Sequence, residues 1–375
     1  PINPPLNLFG VNEPTGIIDP NRWQPLTFNT FIDQSGNIIE GSTPEFLGPE
    51  WGNVTPFALN NDMKSTFERD GNSYSVYIDP GQPPQLNTTT TTEESDQYKW
   101  NFALVSIWSS FLDPSDKVMW DISPNSIGNI DIKNFPKTFE DLPTFYNETE
   151  GGDISNGHST NPSTGKPYKT QMVPRADYAR VLAEFWADGI DSETPPGHWF
   201  EIYHYVSDQP TFERKWKGIG PILDTLEFDV KAQLTLGGTM HDAAICAWSL
   251  KGYYDYLRPV SAIRYMADQG QSSDTNELNY DPNGIPLLTG FIEVVQIGDT
   301  LAGQWNENVG KIKLFTWKGH DYINNPLTDA AGVGWILAED WWPYQRPTFV
   351  TPPFAGFVSG HSTFSRAAAH TMEFI

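Results

Sequence analysis

The sequence is poor in cysteine and in basic residues, and it lacks a long hydrophobic run. Its 375 residues include a single cysteine, Cys246, which excludes an internal disulfide. Cys246 lies in an apolar stretch, so we predict a buried, unreactive thiol. No run of about 18 apolar residues occurs, which excludes a membrane-spanning helix. The net charge of −24 argues against a surface that binds nucleic acid or anionic lipid.

The N-terminal part of the chain differs in texture from the rest. It is rich in Pro, Gly and Asn, and short alternating runs such as "SYSVYID" (73–79) predict irregular coil with a few strands. The polar tract 87–96 is interpreted as a loop. We therefore expect a loop-rich N-terminal segment, residues 1–97, whose short strands pack on a helical domain formed by residues 98–375.

Helical periodicity dominates from residue 98 onward. Apolar residues at helical spacing predict helices over 98–112, 174–189 and 228–257. The third of these is apolar nearly all round, which predicts a buried helix. The stretch 268–350 is interpreted as loop with short helices, and the last segment of the chain as helix again. The predicted fold class is mainly α.

Two cations stand near the end of the third predicted helix. Lys251 precedes Arg258 by seven residues, which on a continuous helix is two turns. Both side chains would then project from one face, about 10 Å apart along the axis. Pro259 follows Arg258 and predicts that the helix ends or bends there. An anion site in so acidic a chain has to gather its positive groups locally in this way.

A second candidate stretch lies far along the chain, in "FVSGHSTFSRAAAH" (357–370). Ser359, Gly360 and His361 precede an Ala-rich helix that we expect to start near Ser362. A helix N-terminus exposes backbone N–H groups and favours an anion. The hydroxyl adds a donor, the glycine permits close approach, and the imidazole acts as acid or base near neutral pH. Together these residues predict a pocket for an oxyanion.

Each of these residues also has a purely structural interpretation. Lys251 and Arg258 could form a solvated helix face, although the apolar and aromatic residues around them make this less natural. Ser359 could be an ordinary helix N-cap. His361 could be a structural histidine with satisfied hydrogen bonds. Taken together, however, the residues favour the oxyanion pocket.

The combination "K-x6-R-P" followed later by "S-G-H-S" resembles the signature of vanadium-dependent haloperoxidases and of the acid phosphatases that share their fold. The resemblance covers about half of the chain. Within the family, the chain is similar to the bacterial haloperoxidase-related branch. The stretches that carry it are 19–26, 185–199, 242–268 and 339–366. The resemblance implies a helical bundle of the vanadium chloroperoxidase and acid phosphatase type, with a loop-rich N-terminal part.

The resemblance also implies a cofactor and a reaction. Vanadate, or phosphate in the same site, would be bound by Lys251, Arg258, Ser359, Gly360 and His361. Hydrogen peroxide would oxidise halide to hypohalous acid, with His361 as the acid–base group and Lys251 polarising the peroxide. Small organic molecules would be the further substrates.

Four further residues are candidates for supporting roles. Related chloroperoxidases carry aromatic residues at the offsets of Trp248 and Phe354, near the presumed halide pocket, although core packing explains both residues equally well. Asp188 and Asp242 are candidates to orient a site histidine, although helix capping or surface exposure is the more natural interpretation of Asp188.

One part of the family pattern is absent from these 375 residues. A Ser-Arg-x5-His motif should follow the Ser-Gly-His stretch and supply the histidine that binds vanadium axially. "SRAAAH" (365–370) has the wrong spacing, and His370 would lie about 13 Å along the helix from its start, out of reach of the anion. We therefore expect that the C-terminal segment was cleaved, belongs to a separate chain, or lies beyond these 375 residues.

Two alternatives to the haloperoxidase hypothesis stay open. The same oxyanion cradle would serve an acid phosphatase, and the missing motif is consistent with a relative that kept the fold and lost the chemistry. Homo-oligomerisation, common in the family, also stays open for this chain.

The chain begins with Pro1 and shows no signal-peptide pattern, so any targeting segment was removed or never present. Its location is undetermined, with a secreted or periplasmic one favoured.

Overall fold

The computed structural model describes residues 1–9, 14–126, 158–162, 164–187, 189–269 and 272–375. Helical conformations account for 34% of the structure and strands for 16%. The prediction of a mainly α protein is therefore not clearly confirmed, because small sheets accompany the helices. Among the described helices, none is long and apolar enough to cross a membrane.

The described α-helices are α1 Glu93–Trp108, α2 Arg175–Phe185, α3 Pro195–Ser207, α4 Thr225–Tyr254, α5 Pro259–Gln269 and α6 Gly360–Phe374. The sequence predicted α1, α2 and α4 within a few residues at most ends. The predicted C-terminal end of α2 is wrong, since that helix ends at Phe185 and not at Gly189. The polar tract 87–96 is not all loop either, because α1 begins inside it. Thr92 caps α1 by accepting a hydrogen bond from Ser95 N–H, and acidic residues in the first turn favour the positive end of the helix.

The strands form small separate sheets. A parallel pair, β1 Leu6–Asn7 and β2 Leu26–Ile32, is extended by the antiparallel β3 Ile38–Ser42. β4 Lys64–Arg69 and β5 Asn72–Tyr77 form a hairpin that contains most of the predicted alternating run. Two further antiparallel pairs join β6 Met119–Asp121 to β9 Met172–Pro174, and β7 Thr160–Asn161 to β8 Lys166–Pro167.

A three-stranded antiparallel sheet occupies part of the stretch that we interpreted as loop with short helices. Its strands are β10 Ile292–Val294, β11 Ile312–Trp317 and β12 Val333–Leu337, with β11 in the centre. The central strand is buried on both faces, so its sequence "IKLFTW" lacks the alternation that identifies a half-exposed strand. The prediction for this stretch was wrong for that reason.

Two hydrophobic clusters form the interior of the described part of the chain. The larger one combines residues of β1, β2, α1, α5 and the β10–β12 sheet, so the N-terminal segment contributes directly to it. The smaller cluster lies between α4, α6 and α3, where Phe228 and Leu236 of α4 meet Phe364 of α6. Packing in the smaller cluster fixes α6 against α4, and these two helices carry most of the candidate site.

The long helix α4 is buried along only part of its length. Its C-terminal half is enclosed, but Leu226, Val230 and Leu234 at its N-terminal end are 73%, 57% and 61% exposed. These residues repeat every four positions and form an apolar stripe on the outer face of the helix. The prediction that the whole helix is buried is therefore wrong for this end.

Candidate oxyanion site

A cavity of about 300 Å³ lies where the end of α4 meets the starts of α5 and α6. All the residues that the sequence singled out for the oxyanion pocket line it, and so do both aromatic residues proposed for the halide. These are Trp248, Lys251, Arg258, Phe354, Ser359, Gly360 and His361. Two stretches about a hundred residues apart in sequence are thus brought to one place.

The route by which Arg258 reaches the cavity differs from the prediction. Helix α4 ends at Tyr254, and Asp255 adopts a left-handed conformation with φ 50° and ψ 40°. The Asp255 carboxylate accepts a hydrogen bond from Arg22 Nε at 2.7 Å, which holds this turn in place. Arg258 immediately precedes α5 and accepts hydrogen bonds from the first turn of that helix through its carbonyl. The two cations therefore do not share a helix face, but lie on two sides of a turn.

The backbone of residues 354–356 ties the two cations to the cavity wall. Lys251 is 2% exposed, and its Nζ donates to the carbonyl of Ala355 at 2.8 Å and to that of Gly356 at 3.4 Å. Arg258 Nε donates to the carbonyl of Phe354 at 2.6 Å. The Phe354 ring centroid lies 5.0 Å from Lys251 Nζ and 4.8 Å from Arg258 Cζ. One short segment thus positions both positive groups.

Gly356 allows this segment to approach the turn after α4. Its N–H donates to the carbonyl of Tyr256 at 2.9 Å. A Cβ atom at position 356 would lie 2.6 Å from the carbonyl oxygen of Leu257, closer than real Cβ atoms come to a backbone oxygen. A residue without a side chain is needed here if the cations are to reach their carbonyl partners.

Ser359 is the N-cap of α6. Its Oγ accepts a hydrogen bond from Ser362 N–H at 3.2 Å, so this serine does act as the helix N-cap that its structural interpretation predicted. The same residue lines the cavity, and its exposed position places it at the solvent side. The positive end of a 15-residue helix is therefore directed at the cavity through Gly360 and His361. The helix starts at Gly360, slightly earlier than predicted.

An aromatic residue that sequence reasoning missed contacts His361. The ring of Trp186 lies edge-on to the His361 ring, with centroids 6.0 Å apart and planes at 88°. Trp186 also lines the cavity, and its other side packs against the buried His198 with centroids 4.7 Å apart. The sequence feature that could have identified Trp186 is its position in "FWADGIDSETPPGHW" (185–199), one of the stretches that carry the family resemblance. Gln345, from "EDWWPYQRPTF", is a second lining residue missed in the same way.

The charge of the cavity is opposite to that of the whole chain. Among the described residues that line it, two are cationic and none is Asp or Glu. Elsewhere in the described ranges, no group of three or more His, Cys, Asp or Glu is placed to hold a metal ion. The arrangement of two cations, a hydroxyl, a helix N-terminus and an imidazole suits an oxyanion bound by hydrogen bonds.

Several other candidates lie elsewhere. His370 is on α6 beside Glu373, its side chain 74% exposed, and it does not line the cavity. The carboxylate of Asp242 accepts hydrogen bonds from the backbone N–H groups of residues 57–59, so within the described residues it orients a loop rather than a histidine. Asp188 lies outside the described residues. Cys246 is half-buried, and burial raises the pKa of its thiol to about 11.

Comparison with known families gives a match for the C-terminal part of the chain. Residues 231–375 match the family model described as the VCPO second helical-bundle domain. No curated protein and no solved structure matches the chain significantly. The matched range begins in α4 and contains the two cations and the Ser-Gly-His stretch. This part of the chain is therefore similar to the second helical-bundle domain of the vanadium haloperoxidase family.

Proposed function

We propose that the cavity binds vanadate and that the protein is a vanadate-dependent haloperoxidase, which oxidises halide with hydrogen peroxide to hypohalous acid. The observation that carries the proposal is the composition of one cavity. Lys251, Arg258 and the N-terminus of α6 meet there, and no described lining residue is acidic. The family match over residues 231–375 supports the same assignment.

The side chains present fit a tetrahedral oxyanion. Lys251 and Arg258 would neutralise its charge, while Ser359 Oγ and the Gly360 N–H would donate further hydrogen bonds. An ammonium group has three N–H donors and a guanidinium has five. One such side chain can therefore bind a backbone carbonyl and an oxyanion at the same time. The carbonyl bonds to residues 354–356 would hold each cation in position before the anion arrives.

When bound, vanadate supplies a Lewis-acid centre that activates peroxide toward attack by halide. In this chain His361 would exchange a proton with hydrogen peroxide through a ring nitrogen. The ammonium of Lys251 would stabilise the negative charge that develops on oxygen during the reaction. Trp248 and Phe354 would form an apolar wall beside the cations, where a weakly hydrated halide could lie.

Binding and turnover have to be tested separately, because the Ser-Arg-x5-His motif of the family is absent from the 375 residues. Vanadate and phosphate binding are measured by isothermal titration calorimetry. Turnover is measured as halogenation of monochlorodimedone with hydrogen peroxide and as hydrolysis of p-nitrophenyl phosphate. The first activity supports the haloperoxidase, the second alone would make the protein a phosphatase, and binding with neither activity would leave an oxyanion-binding relative.

The variant Lys251→Met tests the role of the buried cation. Loss of one charge-assisted hydrogen bond should weaken vanadate binding by about 2 kcal/mol, roughly 30-fold. Lys231→Met is the matched control, because Lys231 lies on the same helix but is exposed and pairs with Glu227. Equal vanadate affinity in the two variants would refute the proposed site.

A further inference from the structure

A second and larger cavity shares a wall with the oxyanion site. Its volume is about 760 Å³, and we call it the aromatic cavity. The rings of Trp108, Phe111, Trp120, Tyr178, Trp341 and Tyr344 form much of its lining. This size and this apolar lining with a few polar groups are typical of sites that bind small organic molecules.

The wall between the two cavities consists of residues that line both. They are Val105 of α1, the buried Trp341, Pro343 and Gln345. Gln345 is held by a hydrogen bond from its Nε2 to the carbonyl of Ala183, in the last turn of α2, at 3.3 Å. A molecule in the aromatic cavity would therefore lie next to the place where the oxidised halogen is produced.

The described lining of the aromatic cavity bears on the charge of a ligand that it would accept. Among the described residues that line it there is no Lys, Arg or His, but there is one carboxylate, Asp121. Asp121 Oδ1 accepts hydrogen bonds from the N–H groups of Gln171 and Ser123, each at 2.9 Å. These backbone hydrogen bonds hold the pKa of Asp121 below its ordinary value, so the group is ionised at neutral pH. Its charge would repel an anionic ligand and accept a hydrogen bond from a hydroxyl.

We infer that the aromatic cavity binds the organic substrate, a neutral hydroxylated aromatic molecule of the phenol or naphthol class, and that this molecule is halogenated before it leaves. The inference rests on the proposed function. The halogen–oxygen bond of hypohalous acid breaks and a carbon–halogen bond forms at the ring. The displaced ring proton joins the hydroxide to give water, while the ring carbon is oxidised and the halogen reduced. Holding both reactants side by side would favour transfer over escape of the oxidant.

Binding is tested without turnover, with 1-naphthol as the probe and isothermal titration calorimetry as the measurement. Two variants, Ala179→Trp and Leu182→Trp, place a large ring in the cavity from α2. Leu182 is 40% exposed, so the second variant should fold even if the first does not. Val181→Trp is the matched control, because Val181 is on the same helix, 48% exposed, and does not line the cavity.

We expect each filling variant to weaken 1-naphthol binding about tenfold or more, since the ring occupies the space the probe needs. Val181→Trp should bind like the unmodified protein, and the anion 1-naphthoate should bind much more weakly than 1-naphthol. No 1-naphthol binding, equal binding in Leu182→Trp and Val181→Trp, or a preference for 1-naphthoate would each overturn the assignment.

Halogen transfer has its own readout, the ratio of 2- to 4-halogenated 1-naphthol. A ratio that differs from that given by free hypohalous acid, and that returns to it in Leu182→Trp, supports transfer inside the cavity. The free-acid ratio in both proteins would overturn the transfer step. Failure of the proposed function would look different, because 1-naphthol would bind as expected but no halogenated product would form.

Discussion

At the level of single residues, Phe354 organises the positive charge of the site. Its carbonyl accepts from Arg258, and its ring lies about equally far from both cations. The ring of Trp248 packs edge-on against it at 5.0 Å. An aromatic face attracts a nearby cation without competing for the site as a carboxylate would. Phe354 and Trp248 can therefore pack in the core and also lie beside the proposed anion site.

Trp186 contacts His361 edge-on, and we expect it to position the imidazole. We expect Trp186→Leu to loosen the imidazole, because it removes the ring that meets it edge-on. Trp186→Phe keeps an aromatic ring there and should preserve most of the contact.

The ¹H–¹³C spectrum of the His361 ring provides the measurement. The leucine variant should shift this resonance away from its ring-current position and alter the pH profile of turnover. Identical His361 spectra in the unmodified protein and in Trp186→Leu would contradict the assigned contact.

At the level of elements, the N-terminus of α6 has two roles that a substitution can separate. Ser359 caps the helix and also faces the cavity. Aspartate caps helices as well as serine does, so Ser359→Asp should change the free energy of unfolding by less than about 0.5 kcal/mol. The new carboxylate would repel an oxyanion, and vanadate binding should be lost.

Ser359→Ala is the complementary variant. It should lower the free energy of unfolding by about 1 kcal/mol, because the cap is removed, and reduce vanadate affinity only modestly. Denaturant unfolding and titration calorimetry measure the two effects. If Ser359→Asp still bound vanadate, the N-terminus of α6 would not be part of the anion site.

The same elements show how far sequence reasoning reaches. It singled out Lys251, Arg258 and the Ser-Gly-His stretch, which line one cavity, because side-chain chemistry and helix ends are local properties. It placed Arg258 on the wrong element, since α4 ends in a left-handed turn at Asp255, whose carboxylate pairs with the distant Arg22. It missed the β10–β12 sheet because β11 is buried on both faces and shows no alternation. Trp186 was missed because only tertiary packing brings it to His361.

At the level of the whole molecule, pH should affect stability partly through His320. This residue lies between the rings of Trp317 and Trp342, and its Nε2 donates to the carbonyl of Gln345 at 2.6 Å. Desolvation lowers the pKa of His320, against the opposing effects of that hydrogen bond and of Asp321. Between the lowered folded pKa and the unfolded value of 6.5, the unfolded chain therefore binds a proton that the folded protein does not, and stability falls as the pH falls through this window.

His320→Gln keeps a donor for the Gln345 carbonyl but does not titrate. We expect its free energy of unfolding to decrease less than that of the unmodified protein between about pH 7.5 and about pH 5. Urea unfolding across this range measures the difference. A steeper decrease in the variant would show that His320 is not held neutral by its surroundings.

The whole molecule also sets the electrostatic problem that the site has to solve. A net charge of −24 disfavours any bound anion, so the two cations and the helix N-terminus have to offset that field locally. The described cavity lining contains no carboxylate, which is consistent with this requirement. The composition alone does not bring these groups together; the contacts between distant segments place them at one cavity.

A crystal structure of the protein soaked in vanadate tests the central claim most directly. We predict one tetrahedral or five-coordinate oxyanion in the cavity, with its oxygens within hydrogen-bonding distance of Lys251 Nζ, the Arg258 guanidinium and the first turn of α6. An empty cavity at saturating vanadate, or an anion bound only elsewhere on the protein, would contradict the account.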